Sequence, residues 1–204
     1  MTVGSAGKRV RGGSAPVPPT RLALSTFVTL STALALLLTS VILAGPARAD
    51  WPSWRGRAQT GVSSETGLIS KWSTSGENVI WKADLVGRST PVVFDGRVCA
   101  LGRQGSGDDR AERVACWNAA DGTKRWEVTL VPHNTTIPFN RAGWSSPTGD
   151  PETGNLYAQS SDGHLTCFDR DGRVVWQRAL HEEQGRFSGY GGRTANPIVF
   201  EDLV

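Results

Sequence analysis

The chain has 204 residues, with 22 Lys or Arg against 19 Asp or Glu, a formal charge of +3. The excess is concentrated: Lys8, Arg9, Arg11, Arg21 and Arg48 lie in the first 49 residues, which hold no acid, and without them the charge is −2. The basic isoelectric point therefore belongs to the leader, and no nucleic-acid surface is expected from it.

Residues 1–49 read as a separate object. The basic start is followed by an apolar run of 24 residues, Leu22 to Gly45, and then by Pro46-Ala47-Arg48-Ala49 ahead of Asp50. This order is that of a secretory signal with an Ala-x-Ala processing site. The run is also long enough to span a bilayer, so an uncleaved anchor is the competing reading and the one route by which membrane contact is expected. Pro46, which breaks a helix, and the small residues Ala47 and Ala49 favour cleavage. Arg9 and Arg11 are not adjacent, so a twin-arginine signal is not supported. Residues 50–77 form a lead-in that carries Trp51-Pro-Ser-Trp-Arg-Gly56.

From residue 78 onward one unit recurs. Trp81, Trp126 and Trp176 open the phrases WKADL, WEVTL and WQRAL at spacings of 45 and 50 residues, each with a Leu four places on (Leu85, Leu130, Leu180). Asp121-Gly122 and Asp171-Gly172 stand at the same distance ahead of the second and third Trp. Pro91-Val-Val-Phe-Asp-Gly-Arg-Val98 is echoed by Pro197-Ile-Val-Phe-Glu-Asp-Leu-Val204. Ser145-Ser146-Pro147 repeats Ser89-Thr90-Pro91 and leads into a longer turn, Thr148 to Gly154, while Cys116-Trp117 corresponds to Cys167-Phe168. Trp126, Val128 and Leu130 share one face at period two and Trp176, Arg178 and Leu180 another, which is strand alternation. The Asp-Gly pairs supply the positive φ of tight hairpin turns. Four short antiparallel strands in roughly 40–50 residues make a β-propeller blade. The expected fold is all-β, a propeller of four-stranded antiparallel blades over residues 78–204, with about three blades' worth present. Each Trp then fills a junction between blades.

The stretch Cys116 to Trp126 resembles the tryptophan-docking repeat of quinoprotein-type propellers, with Cys116 in its small-residue place, Asn118 in its Asp place and Asp121 in its Thr place. Cys167 to Trp176 is a version one residue shorter, with Asp169 in the Asp place. With Trp51 to Gly56, the chain is similar to exported pyrroloquinoline-quinone-like repeat proteins over about residues 51–204. The resemblance is specific for fold and weak for activity. Members of this group that are lipoproteins carry a Cys at the cleavage point; none stands there here, so a lipid anchor is not expected. A closed propeller has at least four blades, so the chain is expected to be the front portion of a longer protein that stops inside a blade.

Cys99 and Cys116 fall on adjacent strands, which leaves a disulfide open; the favoured reading makes Cys116 and Cys167 small buried unbridged positions. The chain has no adjacent Cys pair of the kind quinoprotein dehydrogenases of this fold carry, and no Cys-x-x-Cys-His haem site. Asp169-Arg-Asp171-Gly172 hints at a calcium loop, but the twelfth place, where a Glu ligand is needed, is Leu180. A hairpin turn is the reading. His133, His164 and His181 are scattered and read as surface-loop residues, and Asn134-Thr135-Thr136 matches a glycosylation acceptor in a compartment the leader does not specify. The connections after the first and second blades are the candidate binding loops. They contribute Arg141 with Phe139 and Asn140, and Arg186, Tyr190 and Arg193 from a Gly-rich stretch suited to anions or sugars, against the alternative that they pack blade on blade.

No catalytic, cofactor or metal residue can be assigned. The leading expectation is an exported, non-enzymatic binding or scaffold module of the periplasm or cell envelope, with a protein, peptide or carbohydrate partner and no nucleic acid. The resemblance implies the alternative of an oxidoreductase using pyrroloquinoline quinone and calcium.

Overall fold

In the computed structural model the described residues are 50–132, 138–185 and 194–204. Two four-stranded antiparallel sheets run in simple meander order. The first contains β1 (Val92–Phe94), β2 (Arg97–Gln104), β3 (Ala111–Asn118) and β4 (Lys124–Pro132). The second contains β5 (Thr148–Gly149), β6 (Leu156–Gln159), β7 (His164–Phe168) and β8 (Val174–Ala179), followed by the one-turn helix α1 (Leu180–Glu183). These are the expected blades, with the fourth strand of each starting two residues before its Trp. The longer turn of the second blade is narrower than the sequence suggested, because Thr148 and Gly149 pair with Tyr157 and Leu156 and only residues 150–155 turn.

Local chemistry accounts for the strand ends. Asp95 and Gly96 take φ of 49° and 68°, a two-residue hairpin with both central residues left-handed. The β3–β4 and β7–β8 turns are pinned by side chains at the docking-repeat positions. Asn118 Oδ1 accepts from the Ala120 amide, Asp121 Oδ1 from Thr123, and Asp169 Oδ1 from both Asp171 and Arg173. Residues 169–172 are thus a hairpin turn, as expected.

Alternation then sorts the faces. Val92, Phe94, Cys99, Leu101, Val114 and Cys116 of the first sheet meet Leu156, Ala158 and Phe168 of the second in one buried cluster, with Trp126, Val128 and Leu130 closing it. Each fully buried apolar side chain of this size contributes about 1.5–3 kcal/mol. Ala100, Ala115 and Trp117 point the other way and carry Trp81 and Leu85. The WKADL phrase forms no strand; Asp84 O accepts from Arg113 of β3, and Val86, the next residue after the phrase, bridges Arg103 of β2.

The tryptophans dock in sequence. Trp81 Nε1–H donates to Ala119 O in the β3–β4 turn (2.9 Å), and Trp126 Nε1–H donates to Arg170 O in the β7–β8 turn (3.1 Å). Both rings lie against the turn glycine. A Cβ on Gly122 would stand 2.6 Å from Trp81 and one on Gly172 2.6 Å from Trp126. Their φ of +72° and +82° exclude ordinary side chains independently. Trp126 also stacks at a tilt on Phe168, centroids 5.6 Å apart. Trp176 meets Tyr157 of its own sheet at 5.9 Å and stays half-buried.

Successive units are stitched near β1 and β5 by the residue before each repeated Pro. Thr90 N–H donates to Ser146 Oγ (2.8 Å), and Ser146 N–H to Asn196 Oδ1 (2.6 Å). The third unit begins the same way, with Phe200 and Leu203 bonded across a two-residue turn. The lead-in belongs to the same body: Trp51 exchanges both backbone bonds with Val93, and Pro52 O accepts from Gly149 N–H.

Two findings depart from the sequence expectations. Cys99 and Cys116 form a disulfide. The unbridged reading is corrected because the β2–β3 register sets the two residues directly opposite one another, with Cα atoms 4.2 Å apart. Their burial, the basis of that reading, holds as well. Cys167 is the free, buried thiol, and Tyr157 stands opposite it where the first blade has Cys99. Secondly, a whole guanidinium is buried between the sheets. Arg97 is 0% exposed, lies 4.4 Å over the Phe94 ring, and donates to Gly154 O (2.8 Å) and Arg170 O (3.4 Å) of the second sheet, with Asp95 beside it (3.5 Å). No helix among the described residues is long and apolar enough to cross a membrane.

Candidate functional site

In a meander the connections alternate between two ends. The Asp-Gly turns occupy one end, and the β2–β3, β4–β5 and β6–β7 connections occupy the other, the loop face. Arginine–aromatic stacking organises that face. Arg141, in the 3-10 turn Phe139–Arg141, lies 4.1 Å over the Trp144 ring, and Arg88 lies 4.9 Å over the same ring. Arg103 and Arg110 approach Phe139 at 5.3 and 5.6 Å, and Arg103 donates to Phe139 O. Such contacts contribute about 0.5–1 kcal/mol each at exposed sites and more when desolvated.

Beneath this layer sits a buried carboxylate. Glu112 in β3 is 1% exposed and accepts from Gly143 N–H (2.7 Å) on one oxygen, and from Ser161 N–H (2.7 Å) and Oγ–H (2.9 Å) on the other. Burial pushes its pKa up, against the pull of those three bonds. It ties the first sheet to the β4–β5 connection and to the β6–β7 turn, and so holds the loop face at a fixed height.

The β6–β7 turn gathers the second polar cluster. Asp162 accepts from Ser160 Oγ and stands 3.0 Å from His164 Nδ1, and the His164 and His181 rings meet edge to face at 5.0 Å. Burial alone would raise the Asp162 pKa, but the bonds from Ser160 and His164 hold it below the usual range. These two histidines, scattered in the sequence, are adjacent in space, one on β7 and one on α1, because β7 pairs with β8 and β8 runs into the helix. The carboxylate stands between hydroxyl and imidazole, so the ring is not placed to take the hydroxyl proton and the cluster is no nucleophile–base pair. No group of three or more potential metal ligands occurs among the described residues.

Where the lead-in, the approach to β1 and the start of the third unit meet, the face opens into a cleft of about 470 Å³. Ser53, Trp54, Gln59, Arg88, Trp144 and Asn196 are among its walls. Trp54 is 54% exposed, and Trp144 Nε1 is buried without a hydrogen-bond partner among the described residues. Of the loop residues picked from sequence, Arg141 packs on Trp144 beside this cleft, whereas Arg186, Tyr190 and Arg193 lie outside the described residues, as do His133 and Asn134 to Thr136. The three repeat tryptophans are not in the cleft: Trp81 and Trp126 are turn-docked at the opposite end. Sequence reasoning missed Arg88, Trp144 and Glu112. The first two had a signal in their place immediately before Ser89-Thr90-Pro91 and Ser145-Ser146-Pro147, and Glu112 in being a charge inside a strand of buried neighbours.

No curated protein matches the chain. A family model described as outer membrane protein assembly factor BamB matches residues 48–204, the whole of the repeat region and its lead-in. With the Trp-docked four-stranded sheets, this match shows that the chain belongs to that family of pyrroloquinoline-quinone-like propeller repeats.

Proposed function

We propose that this chain is an exported, non-enzymatic propeller module of the cell envelope, a platform that presents its loop face to a protein, peptide or carbohydrate. The family match over residues 48–204 carries the reading, since that family is described by an outer-membrane assembly factor. The Cys99–Cys116 disulfide supports export, because such bonds persist in oxidising compartments and are rare in the cytosol. On the loop face, arginines stack on aromatics and the buried Glu112 carboxylate ties down the neighbouring backbone at Gly143 and Ser161, which suits a rigid recognition surface better than a moving catalytic one.

The test is fractionation of expressing cells with sequencing of the mature N-terminus, followed by titration of the purified protein with pyrroloquinoline quinone and calcium. The expected outcome is an envelope or periplasmic protein beginning near Asp50 that takes up no quinone. Recovery in the cytosol with the leader intact would overturn export, and stoichiometric quinone uptake with dye reduction would replace the platform by the oxidoreductase reading.

A further inference from the structure

We propose that the loop-face cleft binds an acidic saccharide, a pyranose oligomer bearing carboxylates; this deepens the platform reading and rests on it. Three observations converge. The first is uncompensated positive charge: Arg88 and Arg141 both lie over Trp144, and neither guanidinium is joined to a carboxylate among the described residues. Stacking occupies the flat face of a guanidinium and leaves its in-plane N–H fork free, the geometry that clasps a carboxylate through two parallel bonds. Glu112 forms no ion pair with either guanidinium; its oxygens accept from Gly143 and Ser161 instead.

The second observation is aromatic. Trp54 stands 54% exposed in the cleft wall, and Trp144 lines it too, its indole N–H buried and without an acceptor among the described residues. A pyranose presents an apolar C–H face that lies on an indole and a rim of hydroxyls that accept from N–H donors. Gln59 and Asn196 add amide groups to the same wall. A cleft of about 470 Å³ falls in the range that encloses small ligands.

The third observation separates a sugar from a peptide. Extended peptides commonly bind by adding a strand to a free sheet edge. Here the edge next to the cleft is already occupied, with both backbone groups of Val93 paired to Trp51 and the Gly149 N–H held by Pro52 O. What remains for a ligand is side-chain charge, indole surface and amides.

The experiment uses the full mature protein, followed by tryptophan fluorescence and calorimetry, with tetragalacturonate as probe. A neutral oligosaccharide of the same length, hexaglutamate and pyrroloquinoline quinone serve as comparators. We expect saturable binding of tetragalacturonate, at least tenfold weaker binding of the neutral tetramer, and weakening with salt. Arg88→Gln and Trp54→Ala should each reduce affinity tenfold or more, Arg88→Lys should reduce it less than Arg88→Gln, and Arg173→Gln at the opposite end should leave it unchanged. Arg88 and Trp54 are exposed, so thermal unfolding of the variants is expected to match the parent. No binding of tetragalacturonate, equal binding of the neutral tetramer, or indifference to Arg88→Gln would overturn the proposal. Hexaglutamate binding that depends on Arg88, without sugar binding, would overturn the saccharide while keeping the platform. Stoichiometric quinone uptake with dye reduction would overturn both.

Discussion

Replacing Trp126 by Ala removes three things at once: the tilted stack on Phe168 at 5.6 Å, the contact with Gly172, and the 3.1 Å bond from Nε1 to Arg170 O. Truncating a buried Trp to Ala typically costs about 3–5 kcal/mol, and the hydrogen bond accounts for about 1 kcal/mol of it. Trp126→Phe keeps most of the apolar contact and loses the bond, so its cost should be about 1–2 kcal/mol. Trp176 is the internal comparison. It holds the same repeat position, but its ring pairs with Tyr157 of its own sheet at 5.9 Å and it remains half-buried. Trp176→Ala should cost about 1–2 kcal/mol, from one aromatic pair and partial burial. In urea, with a slope of about 2 kcal/mol/M, Trp126→Ala lowers the midpoint by about 1.5–2.5 M and Trp176→Ala by under about 1 M. Equilibrium unfolding followed by circular dichroism, with the three variants side by side, decides it. Equal costs at positions 126 and 176, within about 0.5 kcal/mol, would refute the idea that docking onto the next turn, rather than the Trp itself, is the source of stability.

The turn glycines make a related prediction: Gly122→Ala and Gly172→Ala force a left-handed Ala, about 1–2 kcal/mol, and also a Cβ into an indole ring at 2.6 Å. Gly96→Ala, at φ +68° with nothing within 4 Å, should show the backbone part alone in the same urea unfolding experiment. Thiol counting on denatured protein should find one free Cys without reductant and three with it, and removing the Cys99–Cys116 bond should cost about 3 kcal/mol for a loop of this length. In the native state burial pushes the Cys167 thiol up to about 11, so labelling with a thiol reagent at pH 8 should be slow until urea unfolds the chain. Glu112 has its folded pKa raised by burial, so its contribution to stability is fully present below the ordinary glutamate pKa and is lost as pH rises through the raised value. Stability measured across that window should fall less steeply in Glu112→Gln than in the parent, and parallel curves would remove Glu112 as the cause.

Blade architecture was legible in the sequence because it is written in local terms. Asp-Gly turns, period-two alternation and a Trp at a fixed distance from each turn are short-range features, and they recur, so each occurrence tests the last. The docking partners of Trp81 and Trp126 could be anticipated in kind but not in detail, since Ala119 and Arg170 contribute only a backbone carbonyl, which any residue type would supply. The cysteines show where local reading stops. Burial was inferred from composition and repeat position, but a disulfide needs two residues to be directly opposite, and the one-residue register of β2 on β3 decides that. His164 and His181 looked unrelated because 17 positions separate them, until the β7–β8 hairpin and α1 brought the rings together.

The candidate cleft was the least legible part. Its walls come from the lead-in, from the approaches to β1 and β5 and from the third unit, segments that share no pattern and meet only when the sheets stack. Arg141 could be picked as a loop cation, yet that it lies on Trp144 and joins Arg88 in an uncompensated pair depends on how the β4–β5 connection crosses between blades. By itself, then, the sequence determined what kind of sheet this chain builds, because strand period and turn chemistry act over a few residues. The tertiary structure alone decided which charges are buried, which cysteines are bonded and where a ligand has room, because those properties arise between residues that only packing makes neighbours.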